Sequence, residues 1–474
     1  MTGLLGRNYK LLAAMLYFGS AAANCSSSGP TGAGSGGTSG QTDAAGTAGA
    51  DAAVGGNGGE VGGNGGGSDG GAAGSAGRDG DAGEEVDLGA DTGGGDGGIA
   101  DGVSVDGDDA SGRADVNLTD CAAAGCVQAI SAGDSHTCAL VEGSVYCWGS
   151  NNQGQLGTNV GTESRVPARV TNLPSGVTAI SAGQGHTCSI VGGRVYCWGG
   201  NNEGQVGNNS RTNSAIPVSV VGLPANAIAV SAGTLHSCAI VMGGALYCWG
   251  RNLEGQLGNN SKTSILTAVA VPTLSAGVST VTEGAYHTCA IANGAVYCWG
   301  YNMDGELGIN STVGSLVPVV VPGLSSGASA IEAGGYYTCA VKNGDIYCFG
   351  YNRSGELGNN PPGSNLAPVL AVATGSGASE VSAGEEATCA LLNGGAYCWG
   401  SNVTGQLGNG SMTNSLVPVS VTGMASGVSA ITAGHYHACA LLRGVAYCWG
   451  IDSNGRLGDN SVLSQLAPVP VQFP

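Results

Sequence analysis

Fourteen of the chain's 17 cysteines stand in seven pairs: Cys138 with Cys147, Cys188 with Cys197, Cys238 with Cys248, Cys289 with Cys298, Cys339 with Cys348, Cys389 with Cys398, and Cys439 with Cys448. Partners are nine positions apart, ten in the third pair, and successive pairs begin 50 or 51 residues apart. Repeated cysteine pairs serve either zinc or disulfides. Zinc needs four converging ligands, typically with the shorter C-x-x-C spacing. The residues midway between these cysteines favour the other chemistry. Glu142-Gly143, Gly192-Gly193, Asn293-Gly294, Asn343-Gly344, Asn393-Gly394 and Arg443-Gly444 sit where a two-residue hairpin turn would fall. Asn-Gly and Gly-Gly are strong signals for such a turn, whose two positions need positive φ. The third repeat reads as a three-residue turn, Met242-Gly243-Gly244. Counting outward from these turns, the two cysteines face each other at a non-hydrogen-bonded site, where the Cα atoms approach closely. Seven disulfides within hairpins are therefore expected, each contributing at most about 2–3 kcal/mol through loop closure. Cys121 and Cys126 are expected to form an eighth, which leaves Cys25 alone.

Other reactive side chains repeat with the same period. His136, His186, His236, His287 and His437 each stand two residues before a first cysteine, with Tyr337 and Ala387 in repeats five and six. One histidine per repeat reads as a half-buried residue bonded to local backbone, not as a metal site. Trp148, Trp198, Trp249, Trp299, Trp399 and Trp449, with Phe349, read as packing residues. No nucleophile, base and orienting group stand out from the repeat. No catalytic residue, metal or cofactor is expected.

The informative positions are those where the repeats disagree. Past the cysteines, the residue before the histidine position faces the residue after Trp-Gly. The pairs are Ser135 with Ser150, Gly185 with Gly200, Leu235 with Arg251, Tyr286 with Tyr301, Tyr336 with Tyr351, Glu386 with Ser401, and Tyr436 with Ile451. All fall at the same end of their hairpins. Leu235, Arg251, Tyr286, Tyr301, Tyr336 and Tyr351 thus gather on neighbouring repeats, and Tyr and Arg are enriched at binding hot spots. The competing reading is that these tyrosines cap strand ends, since cross-strand aromatic pairs also stabilise sheets.

The elements that must hold these residues are short strands. HTCAL and VYCWG form the hairpin, and segments such as Ile180-Ser181-Ala182-Gly183 and Pro217 to Val220 supply two more strands per repeat. Four strands repeated seven times predict an all-β, seven-bladed propeller. A blade cannot bury both faces alone, so the ring is the folding unit. The first repeat begins at Ala129 with no preceding PV strand, and the last ends in LAPVPVQFP. This suggests that the C-terminal strand completes the N-terminal blade as a clasp.

The run YCWGxNxxGQLGxN, a PVxV strand and SAGxxHTCAL, repeated from Ala129 to Phe473, resembles the regulator of chromosome condensation repeat. Gly149, Asn151, Gly154, Leu156 and Gly157 carry the likeness, as do Gly250, Asn252, Gly255, Leu257 and Gly258. The resemblance implies a seven-bladed propeller that binds proteins. Its family includes a nuclear nucleotide-exchange factor, a plant light sensor and a secreted bacterial inhibitor of β-lactamases. The repeat spacing leaves no room for the blade insertion that the exchange factor uses, so guanine nucleotide exchange is not expected.

The segments ahead of the repeats differ in kind. Residues 1–25 read as an export signal: Arg7 and Lys10, a short apolar core from Leu11 to Gly19, then small residues. Cleavage after Ala23 would release a soluble protein, whereas Cys25 resembles the lipid-bearing cysteine of bacterial lipoproteins. Asn24 and Ala22 depart from the usual residues there. Residues 26–120 hold 17 acidic residues against two arginines and no Phe, Trp or Tyr. Such a segment cannot bury enough apolar area to offset its ordering entropy, and it reads as a flexible acidic tether. The net charge of -19 makes nucleic acid a poor partner. The domain reading is thus signal or lipobox 1–25, linker 26–120 and propeller 121–474. The expected function is non-catalytic binding of a protein or surface ligand at a bacterial cell envelope, by a monomer held through a lipid anchor at Cys25. The alternatives are an inhibitor of an extracellular enzyme such as a β-lactamase, and an enzyme acting on an envelope polymer.

Overall fold

The computed structural model describes residues 126–159, 161–373 and 375–474. The expected signal, Cys25, the linker and Cys121 lie outside the described residues. The described chain folds into seven four-stranded antiparallel sheets, each in simple meander order. Blade 1 comprises β1 (Val127–Ala132), β2 (His136–Val141), β3 (Ser144–Ser150) and β4 (Glu163–Arg169). Blades 2 to 7 follow at 177–219, 227–270, 278–320, 328–372, 378–420 and 428–470. The first strand of each blade touches the first strands of both neighbours, blade 7 to blade 1 included. Those seven strands surround the axis, and the PV strands lie outermost.

The hairpin register is the one that turn chemistry demands. Cys289 pairs with Cys298, Thr288 with Trp299 and His287 with Gly300, and the other blades match. All seven expected disulfides form, with Cα–Cα separations of 4.0–4.1 Å. In blades 1 to 3, Cys138 is bonded to Cys147, Cys188 to Cys197 and Cys238 to Cys248. In blades 4 to 7, Cys289 is bonded to Cys298, Cys339 to Cys348, Cys389 to Cys398 and Cys439 to Cys448. The turns take the left-handed conformation at both central residues, as at Asn293 (φ 51°) and Gly294 (φ 77°). Cys126 is disulfide-bonded as well.

Joints between blades are built from a repeated set of bonds. The hydroxyl of Thr288 and the indole of Trp299 both donate to Gln256 O of the preceding blade, each at 2.8 Å. Because the Thr288 hydroxyl gives its proton to that carbonyl, it accepts one from His236 Nε2 at 2.8 Å. The same relation links His136 to Thr187, His186 to Ser237, His287 to Thr338 and His437 to Thr137. Tyr337 stands in the histidine's place in blade 5: its hydroxyl donates to Ala387 O at 2.9 Å and lies 2.9 Å from the Thr388 hydroxyl, which donates to Glu356 O at 2.8 Å. These histidines are at most 1% exposed. They are not half-buried residues bonded to local backbone, as their local sequence suggests. Their partners stand on the next blade, 51 or 52 positions away, or 300 for His437 and Thr137 across the ring closure. Burial drives their pKa values down, to about 4 for His136 and about 3 for His186, His236 and His287.

Ring closure also departs from expectation. The final strand, Gln465–Pro470, pairs with Val445–Gly450 of its own blade, so no strand is exchanged between the chain ends. Blade 1 carries a complete outer strand of its own, Glu163–Arg169, and has no vacant place for a clasp. Closure instead uses the ordinary joint: Trp148 Nε1 and Thr137 Oγ1 donate to Arg456 O at 2.9 Å. Phe473 adds edge-on ring contacts with Tyr146 and Trp148, at 6.0 and 5.9 Å between centroids.

Candidate functional site

Each Trp-Gly is followed by a backbone bond that carries the hairpin pairing one step beyond the strands. Tyr301 N donates to Tyr286 O at 3.0 Å, Tyr351 N to Tyr336 O at 2.9 Å and Arg251 N to Leu235 O at 3.0 Å. Equivalent bonds occur in the other four blades. The seven cross-hairpin pairs are therefore real pairs, all at one end of their hairpins. Glycine makes this approach attainable. Gly300 has φ 103°, and a Cβ there would lie 2.6 Å from Tyr286 O.

Side chains from three consecutive blades then meet. The rings of Tyr286 and Tyr301 of blade 4 and Tyr336 of blade 5 are mutually 6.1 Å apart and steeply inclined. Arg251 of blade 3 lies over Tyr286 at 5.1 Å from its centroid, a cation–π contact. Tyr351 is not part of the trio; Arg353 covers it at 5.6 Å. Leu235 is half-buried beside this group on blade 3. All four tyrosines are partly exposed, so apolar ring area and phenol hydroxyls are both offered to solvent. Burial, with the acidic neighbours Glu306, Asp304 and Glu254, raises the Tyr301 pKa, so its hydroxyl stays protonated.

The repeat comparison by hairpin register misses what flanks the trio. The loop residues Leu253, Met303, Arg353 and Val403 occupy one position of the repeat, and Leu253, Met303 and Val403 are 47–64% exposed. Their signal in the sequence was an apolar or cationic residue where blades 1, 2 and 7 have Asn152, Asn202 and Ser453.

Two further features bear on chemistry. The axial cavity measures about 110 Å3, and Glu283 and Glu332 are in its wall. Burial raises Glu283 and Glu332 to about 8, and Glu380, on the neighbouring first strand, to about 7. Glu283 and Glu332 replace the Ala and the Ser of the SAG segment on blades 4 and 5, and Glu380 stands two residues ahead of that segment on blade 6, departures visible in the sequence. Among the described residues no group of three or more His, Cys, Asp or Glu is placed to hold a metal. A second, open hollow of about 290 Å3 between blades 1 and 2 is lined by amides, glycines and Ala215, with no titratable group.

At the cavity mouth, His435 of blade 7 meets Asp134 of blade 1 at 2.7 Å and stacks on Tyr436 at 3.7 Å. Burial works against charge on His435. The bond to Asp134 and the carboxylates of Asp134, Glu385 and Glu386 outweigh it, and its pKa is raised.

Comparison with known proteins agrees with the blades. The family described as RCC1-like domain matches residues 193–474, and the family of the regulator of chromosome condensation (RCC1) repeat matches 142–190 and 127–155. Comparison with curated protein sequences returns no match. Among solved structures, human WBSCR16 is 22% identical with a TM-score of 0.62, over 70% of this chain and 94% of that one. Prp20p of Saccharomyces cerevisiae is 20% identical with a TM-score of 0.62, over 75% of this chain and 89% of that one. Yeast RCC1 (Prp20), solved with Kap60 bound, is 19% identical over 78% and 91%, also with a TM-score of 0.62. At these identities the likeness is one of fold.

Proposed function

This chain belongs to the RCC1-like domain family, and on that footing we propose that its propeller is a non-catalytic binding domain that docks a protein partner on the tyrosine face. RCC1-like propellers are generally binding or regulatory domains, and yeast Prp20 is described with a protein bound. The observation that carries the reading is the Arg251–Tyr286–Tyr301–Tyr336 group. It joins three blades at one end, with exposed Leu253 and Met303 beside it. Aromatic and arginine side chains that present rigid, amphipathic area at little entropic cost are what protein interfaces concentrate. Blades 1 and 2 carry serine and glycine at the equivalent positions, so the site is one-sided.

Seven disulfides fit an oxidising, extracytoplasmic setting, and among the described residues no helix is long and apolar enough to cross a membrane. We place the propeller at the cell envelope, carried on residues 26–120 and held by a lipid on Cys25. Mass spectrometry of the exported chain tests the lipid: an unmodified Cys25, or an N-terminus at Asn24, would remove the anchor from this reading. The binding reading is tested by capture from the native envelope fraction with the wild-type chain and with a chain bearing Tyr→Ala at positions 286, 301, 336 and 351. A partner captured by the first and lost with the folded second supports the tyrosine face. Equal capture by both would return the tyrosines to a purely structural role. If the captured partner is an enzyme, stoichiometric loss of its activity would make the propeller an inhibitor.

A further inference from the structure

Blade 7 departs from its sisters at one buried position. Asn201, Asn252, Asn352 and Asn402 are at most 1% exposed, each three residues after the blade's Trp or Phe. Their Oδ1 accepts the backbone N–H five residues on, at 2.9–3.0 Å. Their Nδ2 faces three oxygens: the side-chain carbonyl of the asparagine seven residues on, at 3.1–3.2 Å, and the backbone carbonyls nine and eleven on. In blade 3 these are Asn259, Ser261 and Thr263, and in blade 6 Asn409, Ser411 and Thr413.

In blade 7 both asparagines are aspartates, Asp452 and Asp459. The loop keeps its shape. Asp452 Oδ1 still accepts Leu457 N at 3.0 Å, Asp459 Oδ1 accepts Ser461 N at 3.0 Å, and Ser461 Oγ accepts Leu463 N at 2.8 Å. Blade 6 has the matching bonds from Leu407, Ser411 and Thr413. Asn460, like Asn209 and Asn260, is left-handed. Asp452 Oδ2 thus takes the place of a donor nitrogen, fully buried and without a hydrogen-bond partner. The groups it meets there, by analogy with the sister loops, are Asp459 Oδ1 and the carbonyls of Ser461 and Leu463.

An acceptor has replaced a donor among acceptors, and only a cation or a proton can reconcile four oxygens at that spacing. Two carboxylates and two backbone carbonyls form a hard, all-oxygen donor set of the kind that holds calcium, with water completing six to eight ligands. We propose that the blade 7 loop binds a calcium-class divalent cation through Asp452, Asp459, Ser461 O and Leu463 O.

The test is thermal unfolding and calorimetric titration of the full chain, stripped with chelator, against calcium chloride at pH 7.5. The comparison is the D452N/D459N variant, which restores the sister-blade amides. The wild-type midpoint is expected to rise saturably, with a half-point at about 10⁻⁴–10⁻³ M. The double variant is expected to lose that response while melting no lower than the stripped wild type. D459N alone leaves the Asp452–Leu457 bond intact and is expected to shift the half-point at least tenfold. Two outcomes overturn the proposal. No calcium response in the wild type would mean that a shared proton holds the oxygens together. An equal response in wild type and variants would place calcium elsewhere on this acidic chain.

Discussion

His435 Nδ1 lies 2.7 Å from Asp134 Oδ1, across a separation of 301 residues. This pair, with Arg456 Nη1 donating to Asp134 O at 2.9 Å, is the polar part of what the seam between blades 7 and 1 adds to the ordinary joint. Because the His435 pKa is raised in the fold, its contribution is fully present below the unfolded value near 6.5. It is lost as pH rises through the folded value. H435A is therefore expected to cost up to about 1 kcal/mol at pH 5.5 and less at pH 8.5. Denaturant titrations at the two pH values check this; an equal cost at both would remove the charge from the account.

The ring of histidine–hydroxyl bonds is broken at one joint, and both partners are missing together. Blade 6 has Ala387 where the histidine would stand, and blade 7 has Ala438 where the hydroxyl would accept. A buried donor or acceptor left alone costs about 1–3 kcal/mol, whereas losing both partners costs less than the two losses summed. H236A is expected to fall in that range. In a double-mutant cycle, H236A/T288A is expected to cost less than the sum of H236A and T288A, by about 1 kcal/mol. Strict additivity would mean that the two side chains do not act as a pair.

The buried histidines and carboxyls oppose each other in their response to pH. His136, His186, His236, His287 and His437 stay neutral in the fold, so stability falls as pH drops below about 6.5, where the unfolded chain takes up protons. Glu283, Glu332, Glu380 and Glu306, raised to between about 7 and 8, hold protons that the unfolded chain releases above 4.5. Their stability contribution therefore falls as pH rises from 4.5 towards 8. The two trends balance at about pH 5.5–6, where the melting temperature is expected to peak. Melting curves from pH 4 to 9 would contradict this if stability kept rising from pH 6 to 8.

Much of the architecture was legible in the sequence, because hairpin geometry is local. Two-residue turns between the cysteines determine register, and register alone pairs Tyr286 with Tyr301 and Cys289 with Cys298. The phase of the ring was not legible. A tandem repeat reads alike from any starting point, so nothing local distinguishes a closed final blade from one completed by an exchanged strand. Contacts between repeats were hidden for a related reason. His236 meets Thr288 through space, 52 residues away, and only the paired absence at Ala387 and Ala438 hints at it. The tyrosines could be placed on one face, but their gathering into a trio under Arg251 depends on blade-to-blade spacing that periodicity does not supply.

Each blade is a single uninterrupted stretch of chain, and the last blade finishes with its own strand. In a ring closed by an exchanged strand, one blade is complete only when the two chain ends meet. Here every segment is interchangeable. Duplication or excision of one stretch of coding sequence, cut anywhere between blades, leaves only whole blades behind. The number seven is then set by how the wedges fill a circle, and the tyrosine, arginine and aspartate positions are free to diverge copy by copy.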